Sequence, residues 1–342
     1  MLEPSDPSVP PSGESDRPAP AESILLQRIE ATGPVSFAEF METALYHPES
    51  GYYRSRRTRV GARPDADFFT AYAAGNVFGD LVTAAAVQLL GDEPPETHTL
   101  VEIGIEPGRS LWREPPEPFR ALRPLAYGEA VDIPGRAVVF SNELFDAQPF
   151  HRVRFVDGKW REAGVGCEDG KLAETLLPET TAPVTACAHL LPGAAVDGQT
   201  IDLPIGSVTL LDTLLGRPWS GMFIAFDYGR RWEELCREFP EGTLRAYSRH
   251  RQNPSILDHP GEQDLTGHIC WDWMEECLVR HGFHDLRLES QEAFFIRHAA
   301  PVIERISRAN PGLPDRDRSR LHQLLHPSHM GQKFQVLSAR RP

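Results

Sequence analysis

The sequence lacks several features that would assign it to common classes of protein. No apolar run approaches the roughly 20 residues that a membrane-spanning helix needs. The start of the chain lacks the basic segment and apolar core of a secretory signal, so we expect none. The five cysteines are odd in number and form no C-x-x-C pair. This usage favours reduced thiols and predicts a cytoplasmic protein.

Positive charge is also scarce, since 35 Lys and Arg stand against 49 Asp and Glu, a formal net charge of −14. That balance disfavours a broad nucleic-acid-binding surface, which needs clustered positive charge. Arginine is nevertheless concentrated in two segments, 54–63 and 245–251. Such runs are either solvated surface or contacts for an anionic partner. The absence of a G-x-S-x-G elbow disfavours a hydrolase.

Composition divides the chain into regions. Residues 1–22 are rich in Pro, Ser and acidic side chains, which predicts a disordered tail because little apolar surface is available to bury. Residues 23–96 read as a helical region and residues 97–342 as an α/β domain. Within that domain we predict an insert at about 153–205 and a long loop at about 242–268.

Three apolar, β-prone runs end in polar side chains, and helical segments separate them. The first ends at Glu102 and Gly104, the second at Asn142, and the third at Asp227. Buried strands that alternate with helices predict an α/β fold with a mainly parallel, Rossmann-like sheet. In such folds a ligand binds in the crevice outside the carboxyl ends of the strands.

Local signals predict several individual elements. Ser36 and Glu39 have the spacing of a capping box. Asp157-Gly158 lies between two β-prone runs and predicts a hairpin turn. Apolar spacing predicts a buried helix over 76–90, and Gly282 is expected to end a helix that begins at Trp271.

The loop after the first strand is unusual. Gly104 and Gly108 have the spacing Gly-x3-Gly, which does not meet the dinucleotide-binding fingerprint. Arg109-Ser110-Leu111 would begin a helix whose amino end favours negative groups. An ordinary loop after a buried strand explains the same residues, and both interpretations stay open.

Taken together, the motifs resemble the MidA-like family of S-adenosylmethionine-dependent methyltransferases. The matching segments, in chain order, are 36–41, 46–53, 67–70, 100–104, 142–149, 226–229, 242–247, 260–266 and 330–337. The resemblance therefore extends from about Ser36 to Leu337.

The resemblance implies a methyltransferase-type fold, S-adenosyl-L-methionine as cofactor, and an arginine side chain of a partner protein as acceptor. It assigns a role to each site residue at a matching position. The catalytic residues would be Asn142, Glu143 and Asp146. The cofactor-binding residues would be Phe69, Thr70, Glu102, Gly104 and Gly108. The substrate-binding residues would be Asp227, Gln263 and Asp264.

The chain departs from the family pattern between its first two clear strands. Ser110 stands where a third glycine is expected, and Glu106 adds a negative charge beside the cofactor's carboxylate. The interval from Gly104 to Asn142 is short for two helices and an intervening strand that ends in a ribose-binding acid. In proline-rich residues 112–135 only 121–126 look like a possible strand, and only Glu129 or Asp132 is available for that role. This predicts that one strand-helix unit is missing.

Three hypotheses follow. The chain is a methyltransferase acting on a protein, or an inactive relative that serves as a binding or assembly factor, or an enzyme for another small ligand. We predict the first, with a protein partner, no nucleic acid and no membrane insertion. His322, His326 and His329 have helical metal-ligand spacing, but no acid or cysteine completes a pattern, so we predict no metal.

Overall fold

The computed structural model describes residues 20–54, 74–106, 109–248, 251–308 and 315–342. The predictions for Phe69, Thr70 and Gly108, and for residues 1–19 of the tail, fall outside these ranges. Residues 20–22, which we assigned to the tail, belong to the first helix. No helix within the described residues is long and apolar enough to cross a membrane.

The bounds of the regular elements are as follows. The strands are β1 (Val35–Ser36), β2 (Thr99–Ile105), β3 (Ala121–Ala126), β4 (Arg136–Asn142), β5 (His151–Val156), β6 (Lys159–Glu168), β7 (Lys171–Leu176), β8 (Thr200–Leu203), β9 (Ser220–Asp227), β10 (Gly229–Arg230), β11 (Arg245–Ser248), β12 (Arg251–Asn253), β13 (Asp264–Thr266), β14 (Ile269–Cys270), β15 (His284–Ser290) and β16 (Gln335–Arg341). The α-helices are α1 (Pro20–Thr32), α2 (Phe37–Met41), α3 (Asn76–Leu90), α4 (Ala182–Cys187), α5 (Ile205–Leu215), α6 (Trp232–Glu238), α7 (Trp271–Arg280), α8 (Gln291–His298), α9 (Ala300–Arg308) and α10 (Arg316–Leu325).

The main sheet has six strands in the order β15-β16-β9-β4-β2-β3. The pairs β3/β2, β2/β4 and β4/β9 are parallel, whereas β16 is antiparallel to both its neighbours. The predicted α/β class with a mainly parallel sheet is therefore confirmed. Since β2, β4 and β9 are adjacent, their polar carboxyl ends meet at one edge of the sheet.

Helices cover both faces of this sheet because alternate residues of the central strands point to opposite sides. On one face Phe78 of α3 packs against Phe140 and Phe226. On the other face α5 and α7 pack against Val139 and Phe223. The helix predicted over 76–90 forms as α3 with those bounds.

The connection from β2 to β3 differs from our prediction. The helix expected to begin at Arg109 does not form, and residues 109–120 contain no helix. Pro115, Pro116 and Pro118 supply no backbone N–H, which prevents a regular helix there. Trp112 and Phe119 of this irregular segment are buried in the α3-side core.

The second strand of the unit is present as β3 over Ala121–Ala126, so our prediction that one strand-helix unit is missing is wrong for the strand. Pro124 lies within β3, and proline within a run argues against a central strand. It is accommodated since β3 is the edge strand and pairs only with β2. No helix occurs in residues 127–135, which return the chain directly to β4. The missing parts are therefore the helices on either side of β3.

A separate antiparallel sheet, ordered β1-β6-β5-β8 with β7 against β6, forms the region that we predicted as an insert. The predicted hairpin is confirmed, since Val156 pairs with Lys159 across the turn. Asp157 and Gly158 have φ values of 52° and 76°, as a two-residue hairpin turn requires. The capping box of Ser36 and Glu39 also forms at the start of α2.

The segment predicted as a long loop at 242–268 contains a small antiparallel sheet, ordered β12-β11-β13. Its strands are only three or four residues long and carry many polar side chains, so the sequence shows no clear alternation. Pairing across the sheet, such as Tyr247 with Asp264, supplies the order. This sheet lies beside the carboxyl edge of the main sheet, because the Gly267 N–H donates to the Asp146 carbonyl over 2.9 Å.

Candidate functional site

The carboxyl ends of β2, β4 and β9 form the floor of a crevice. Ile103 pairs with Ser141, and Asn142 pairs with Phe226. Immediately after β4 the chain turns sharply at Glu143, whose φ is 49° and whose N–H donates to the Phe226 carbonyl over 2.9 Å. The register therefore brings the predicted residues of three strands to one place.

Glu102 is fully buried, and its carboxylate binds the loop that follows its own strand. The Ser110 hydroxyl donates to Oε2 over 2.5 Å, and the Leu111 N–H lies 3.0 Å from both carboxylate oxygens. No helix follows β2 in residues 109–120, and the loop is held by these hydrogen bonds to the Glu102 carboxylate. Glu106, the extra negative charge of this loop, pairs with Arg109 at 3.2 Å.

Gly104 is required by its surroundings. Its φ is 79°, and a Cβ added there would lie 2.5 Å from Leu144 Cδ1. Leu144 therefore occupies the space that a side chain at position 104 would need, although Gly104 itself is exposed.

Asn142, Glu143 and Asp146 lie together after β4, as the resemblance implied. Asn142 Nδ2 donates to Glu143 Oε1 over 2.9 Å. Asn142 Oδ1 and Asp146 Oδ1 are buried and have no hydrogen-bond partner among the described residues. Burial, and next the negative charge of Glu143, raise the pKa of Asp146 to about 7. Buried polar atoms without partners carry a cost, which is typical of a position that meets a ligand.

Asp227 holds this loop in place. Its two carboxylate oxygens accept the backbone N–H groups of Phe145 and Tyr228, each over 2.9 Å. Burial and the nearby charge of Asp146 raise the pKa of Asp227 well above its usual range. The Tyr228 hydroxyl bonds to the Asp146 carboxylate and to the Thr266 hydroxyl. Asp227 therefore orients the residues beside it through backbone groups.

The other two residues of the predicted substrate set differ from one another. Gln263 is buried and spans its own loop, since Oε1 accepts from Asn253 Nδ2 over 2.9 Å and Nε2 donates to the Ser255 carbonyl over 3.3 Å. Asp264 accepts a hydrogen bond from the Tyr53 hydroxyl over 2.8 Å. Asp264 thus reaches the crevice wall, whereas Gln263 maintains the shape of the loop.

Three tyrosines that our sequence analysis did not assign to the site fill one side of the crevice. The rings of Tyr46 and Tyr127 are stacked with centroids 3.7 Å apart, and Tyr53 stacks on the other side of Tyr46 at 5.4 Å. The Tyr46 hydroxyl donates to the Ala147 carbonyl over 3.0 Å, and Tyr127 hydrogen-bonds to Glu42. The only feature of the sequence that pointed to this cluster was the aromatic content of the 46–53 motif.

Tyr127 directly follows β3, where the family pattern calls for a ribose-binding acid. Glu129 Oε2 accepts from the Ala126 N–H over 3.0 Å and is exposed. Asp132 forms an ion pair with Arg123 at 2.7 Å. Both acids that we considered for the ribose are therefore engaged at the edge of the sheet.

These observations test the fit of S-adenosylmethionine. The unpartnered oxygens of Asn142 and Asp146 fit the charged end of the cofactor and a cationic acceptor. The space enclosed between the tyrosine stack, Leu144 and Gly104 is about 50 Å³. Ligand pockets for molecules of that size measure roughly 300–1,000 Å³. With Tyr127 and Leu144 in their present positions, this space is too small for the adenosine part.

Comparison with known proteins agrees with this architecture. The family described as "Putative S-adenosyl-L-methionine-dependent methyltransferase" matches residues 120–287. That range begins next to β3 and covers the residues that follow β4 and β9.

Curated relatives match nearly the whole chain. A Drosophila melanogaster protein named protein arginine methyltransferase NDUFAF7 homolog, mitochondrial, is 24% identical over 96% of this chain and 88% of its own length. The Danio rerio protein named protein arginine methyltransferase NDUFAF7, mitochondrial, is 22% identical over 92% of this chain and 85% of its own length. These names contradict the cytoplasmic location that we predicted. Cysteine usage reports a reducing environment and does not distinguish the compartments that share one.

A solved structure shares the fold. A crystal structure from Burkholderia thailandensis, described as a candidate methyl transferase bound to S-adenosyl-homocysteine, is 24% identical and superposes with a TM-score of 0.80. The match covers 94% of this chain and 92% of that one. The sequence and fold comparisons confirm the resemblance identified from the motifs: the chain is similar to S-adenosylmethionine-dependent methyltransferases of the MidA-like family.

Proposed function

We propose that this chain transfers a methyl group from S-adenosyl-L-methionine to an arginine side chain of a partner protein. The observation that carries the proposal is the pair of unpartnered, buried oxygens on Asn142 and Asp146 at the carboxyl edge of the sheet. A guanidinium group presents several N–H donors in a plane and suits such acceptors. The names of the curated relatives support arginine as the acceptor.

The residues after β4 would orient the acceptor and remove its proton. Glu143 and Asn142 would hold the guanidinium, and in-line orientation is itself a large contribution to rate. Asp146, with a pKa of about 7, is matched to accept a proton near neutral pH. When bound, the cofactor would supply an electrophilic sulfonium methyl, lose its bond from sulfur to that methyl and leave as S-adenosylhomocysteine. Asp146 would accept the proton that the methylated guanidinium nitrogen loses.

The remaining residues have supporting roles in this proposal. Glu102 and Gly104 would shape the pocket for the cofactor's amino-acid end, together with Phe69, Thr70 and Gly108. Asp264 would contact the acceptor beside Tyr53. Asp227 and Gln263 would act on the acceptor only through the loops that they hold.

A second function is favoured by the closed crevice. With about 50 Å³ enclosed, the same acidic and aromatic surface would serve a binding or assembly factor that holds an arginine of its partner without transferring a methyl group. This candidate needs the groups after β4 but does not need the cofactor.

Isothermal titration of the purified full chain with S-adenosylmethionine and S-adenosylhomocysteine distinguishes the methyltransferase from the binding factor. We expect dissociation constants on the order of micromolar for the first function. Glu102→Ala, which frees the loop after β2, should abolish binding, whereas Ser110→Ala should change it little because Leu111 still bonds to Glu102. Methyl transfer is then followed by incubating a cell extract with labelled cofactor and analysing hydrolysed protein for methylarginine. Absence of binding at millimolar cofactor would remove the enzyme proposal and leave the binding factor.

A further inference from the structure

Three potential metal-binding side chains meet on the face of the main sheet opposite α3. Asp212 lies on α5, Cys277 lies on α7, and His281 directly follows α7. Asp212 Oδ1 is 2.9 Å from His281 Nε2 and 4.0 Å from Cys277 Sγ. All three ligand atoms lie within 4.8 Å of one another, and no other such group occurs among the described residues. None of the three lines the crevice.

The fold brings these atoms together for simple reasons. Residues four apart on a helix lie on the same side, so Cys277 and His281 both face α5 at the end of α7. Leu211 of α5 shares a buried core with Cys277 and Leu278, which fixes the two helices against each other. Asp212 follows Leu211 and therefore stands at the rim of that contact.

The donor set is that of a thiophilic divalent cation. Zn²⁺ is bound in proteins by thiolate sulfur, imidazole nitrogen and carboxylate oxygen, often with three protein ligands and one water. Bond lengths of about 2.0–2.3 Å place neighbouring ligands of a tetrahedral ion roughly 3.3–3.8 Å apart. The existing separation of 2.9 Å between Asp212 and His281 requires only a small change to reach that range.

The same atoms also form an ordinary ion pair, and Arg280 lies nearby. Its Nη2 is 4.0 Å from Asp212 Oδ1, and its side chain is 63% exposed. An exposed arginine is free to turn into solvent when a cation arrives. Until then it partly balances the negative charge of Asp212. Cys277 itself is fully buried, so an ion would reach the thiol from the side of Asp212 and His281.

We propose that Asp212, Cys277 and His281 bind a divalent cation of the Zn²⁺ type, with water as the remaining ligand. Binding replaces the thiol proton of Cys277 with the metal and releases that proton to solvent. The ion links α5 to α7 and stabilises the folded chain, because the unfolded chain does not hold the three ligands together. The site is independent of methyl transfer.

The test uses the full chain after removal of metal with a chelator. Titration with ZnCl₂ should show one site per chain, and Co²⁺ should give a sulfur-to-metal charge-transfer absorption, which only thiolate ligation produces. Cys277→Ser should remove that absorption and weaken Zn²⁺ binding about tenfold or more. Cys167→Ser, which removes an exposed thiol outside the cluster, is the matched control and should leave both unchanged.

Three further variants distinguish loss of the metal site from misfolding and from metal binding at a different site. Asp212→Asn and His281→Gln change side chains at the rim and should weaken binding without loss of the fold, as monitored by thermal unfolding. His326→Gln reports on the separate histidine cluster and should leave binding unchanged. The proposal is overturned by absence of one-to-one Zn²⁺ binding to the folded chain. It is equally overturned if Zn²⁺ binding and the Co²⁺ absorption persist in Cys277→Ser.

Discussion

The ring of Tyr127 lies flat against the ring of Tyr46, with centroids 3.7 Å apart and planes inclined by 18°. Tyr46 is almost fully buried and is fixed through its hydroxyl, whereas Tyr127 belongs to the connection after the edge strand β3 and is partly exposed. Tyr127 is therefore the more movable member of the pair. The contact between them decides how much of the crevice is open.

Removal of the Tyr127 ring should open the crevice. We expect Tyr127→Ala to bind S-adenosylhomocysteine about tenfold more tightly than the parent chain, because the ring no longer has to be displaced from Tyr46. Tyr127→Phe keeps the ring and loses only the bond to Glu42, so its affinity should stay close to that of the parent. Calorimetric titration of the parent chain, Tyr127→Ala and Tyr127→Phe with S-adenosylhomocysteine measures the three dissociation constants. Weaker binding by Tyr127→Ala would mean that the ring supports the ligand.

Asp146 should make the free energy of unfolding depend on pH. Its pKa is raised from 3.8 to about 7 by burial, so the folded chain holds the proton more tightly than the unfolded chain. The unfolded chain therefore loses this proton first as pH rises, and stability should fall between about pH 4 and pH 7.

Asp146→Asn removes one ionisable group and should make this part of the pH profile less steep, while the raised pKa of Asp227 keeps a smaller dependence of the same sign. At pH 8 the variant should be more stable than the parent by on the order of 2–4 kcal/mol, while methyl transfer is lost. Urea unfolding at pH 4.5 and pH 8 measures the difference. The stability difference between variant and parent should be larger at pH 8 than at pH 4.5. An equal difference at the two pH values would contradict a pKa of Asp146 that is raised by burial.

A side chain at Gly104 should destabilise the strand end. Gly104→Ala places a methyl group in contact with Leu144 at a φ of 79°, and we expect a loss of about 1–3 kcal/mol. Leu144→Ala in the same chain should recover part of that loss by removing the clash. Gly158→Asn is the control, since the hairpin position has a similar φ of 76° with no atom within 4 Å. Denaturant unfolding of the set gives the coupling energy, and additive effects would exclude the clash.

The buried ion pair of Arg152 and Asp202 should be essential to the antiparallel sheet. Arg152 Nε donates to Asp202 Oδ1 over 2.8 Å, and the N–H groups of Thr243 and Leu244 donate to Oδ2 over 2.6 and 2.8 Å. Asp202→Ala leaves the buried Arg152 with Glu174 as its remaining carboxylate partner, at 3.1 Å, and leaves two backbone donors without the acceptor they now have. We expect it to cost about 3–5 kcal/mol.

The exposed pair of Arg237 and Glu233 is the control for this change. Glu233→Ala should have almost no effect on thermal unfolding, because both side chains are largely exposed. A comparable fall in the melting temperature of both variants would show that burial is not what makes the Asp202 pair important.

Local sequence patterns were sufficient to predict several strands, a helix cap and a turn of this fold. The apolar runs that end at Gly104, Asn142 and Asp227 predicted three adjacent strands of the main sheet, because burial on both faces leaves a continuous apolar pattern. The capping box at Ser36 and the turn at Asp157-Gly158 were also predicted, since each depends on residues a few positions apart.

Local sequence patterns did not predict the structure well where proline or short strand length obscured an element. The edge strand β3 showed in the sequence only as a possible strand because it contains Pro124, and the helix expected at Arg109 was prevented by prolines several residues further on. The short strands of the β11 sheet show no alternation because they are too short to establish one. In these segments tertiary pairing, rather than local preference, determines the structure.

The sequence by itself determined the resemblance to the family, the parallel sheet and the cluster of polar residues at its edge, because all of these depend on patterns that are contiguous in the chain. Only the tertiary structure decided that Tyr127 and Leu144 fill the crevice, that Glu102 binds its own loop, and that Asp212 meets Cys277 and His281. Each of these contacts joins side chains whose positions follow from how helices and strands pack, and packing is not encoded in the spacing of any single segment.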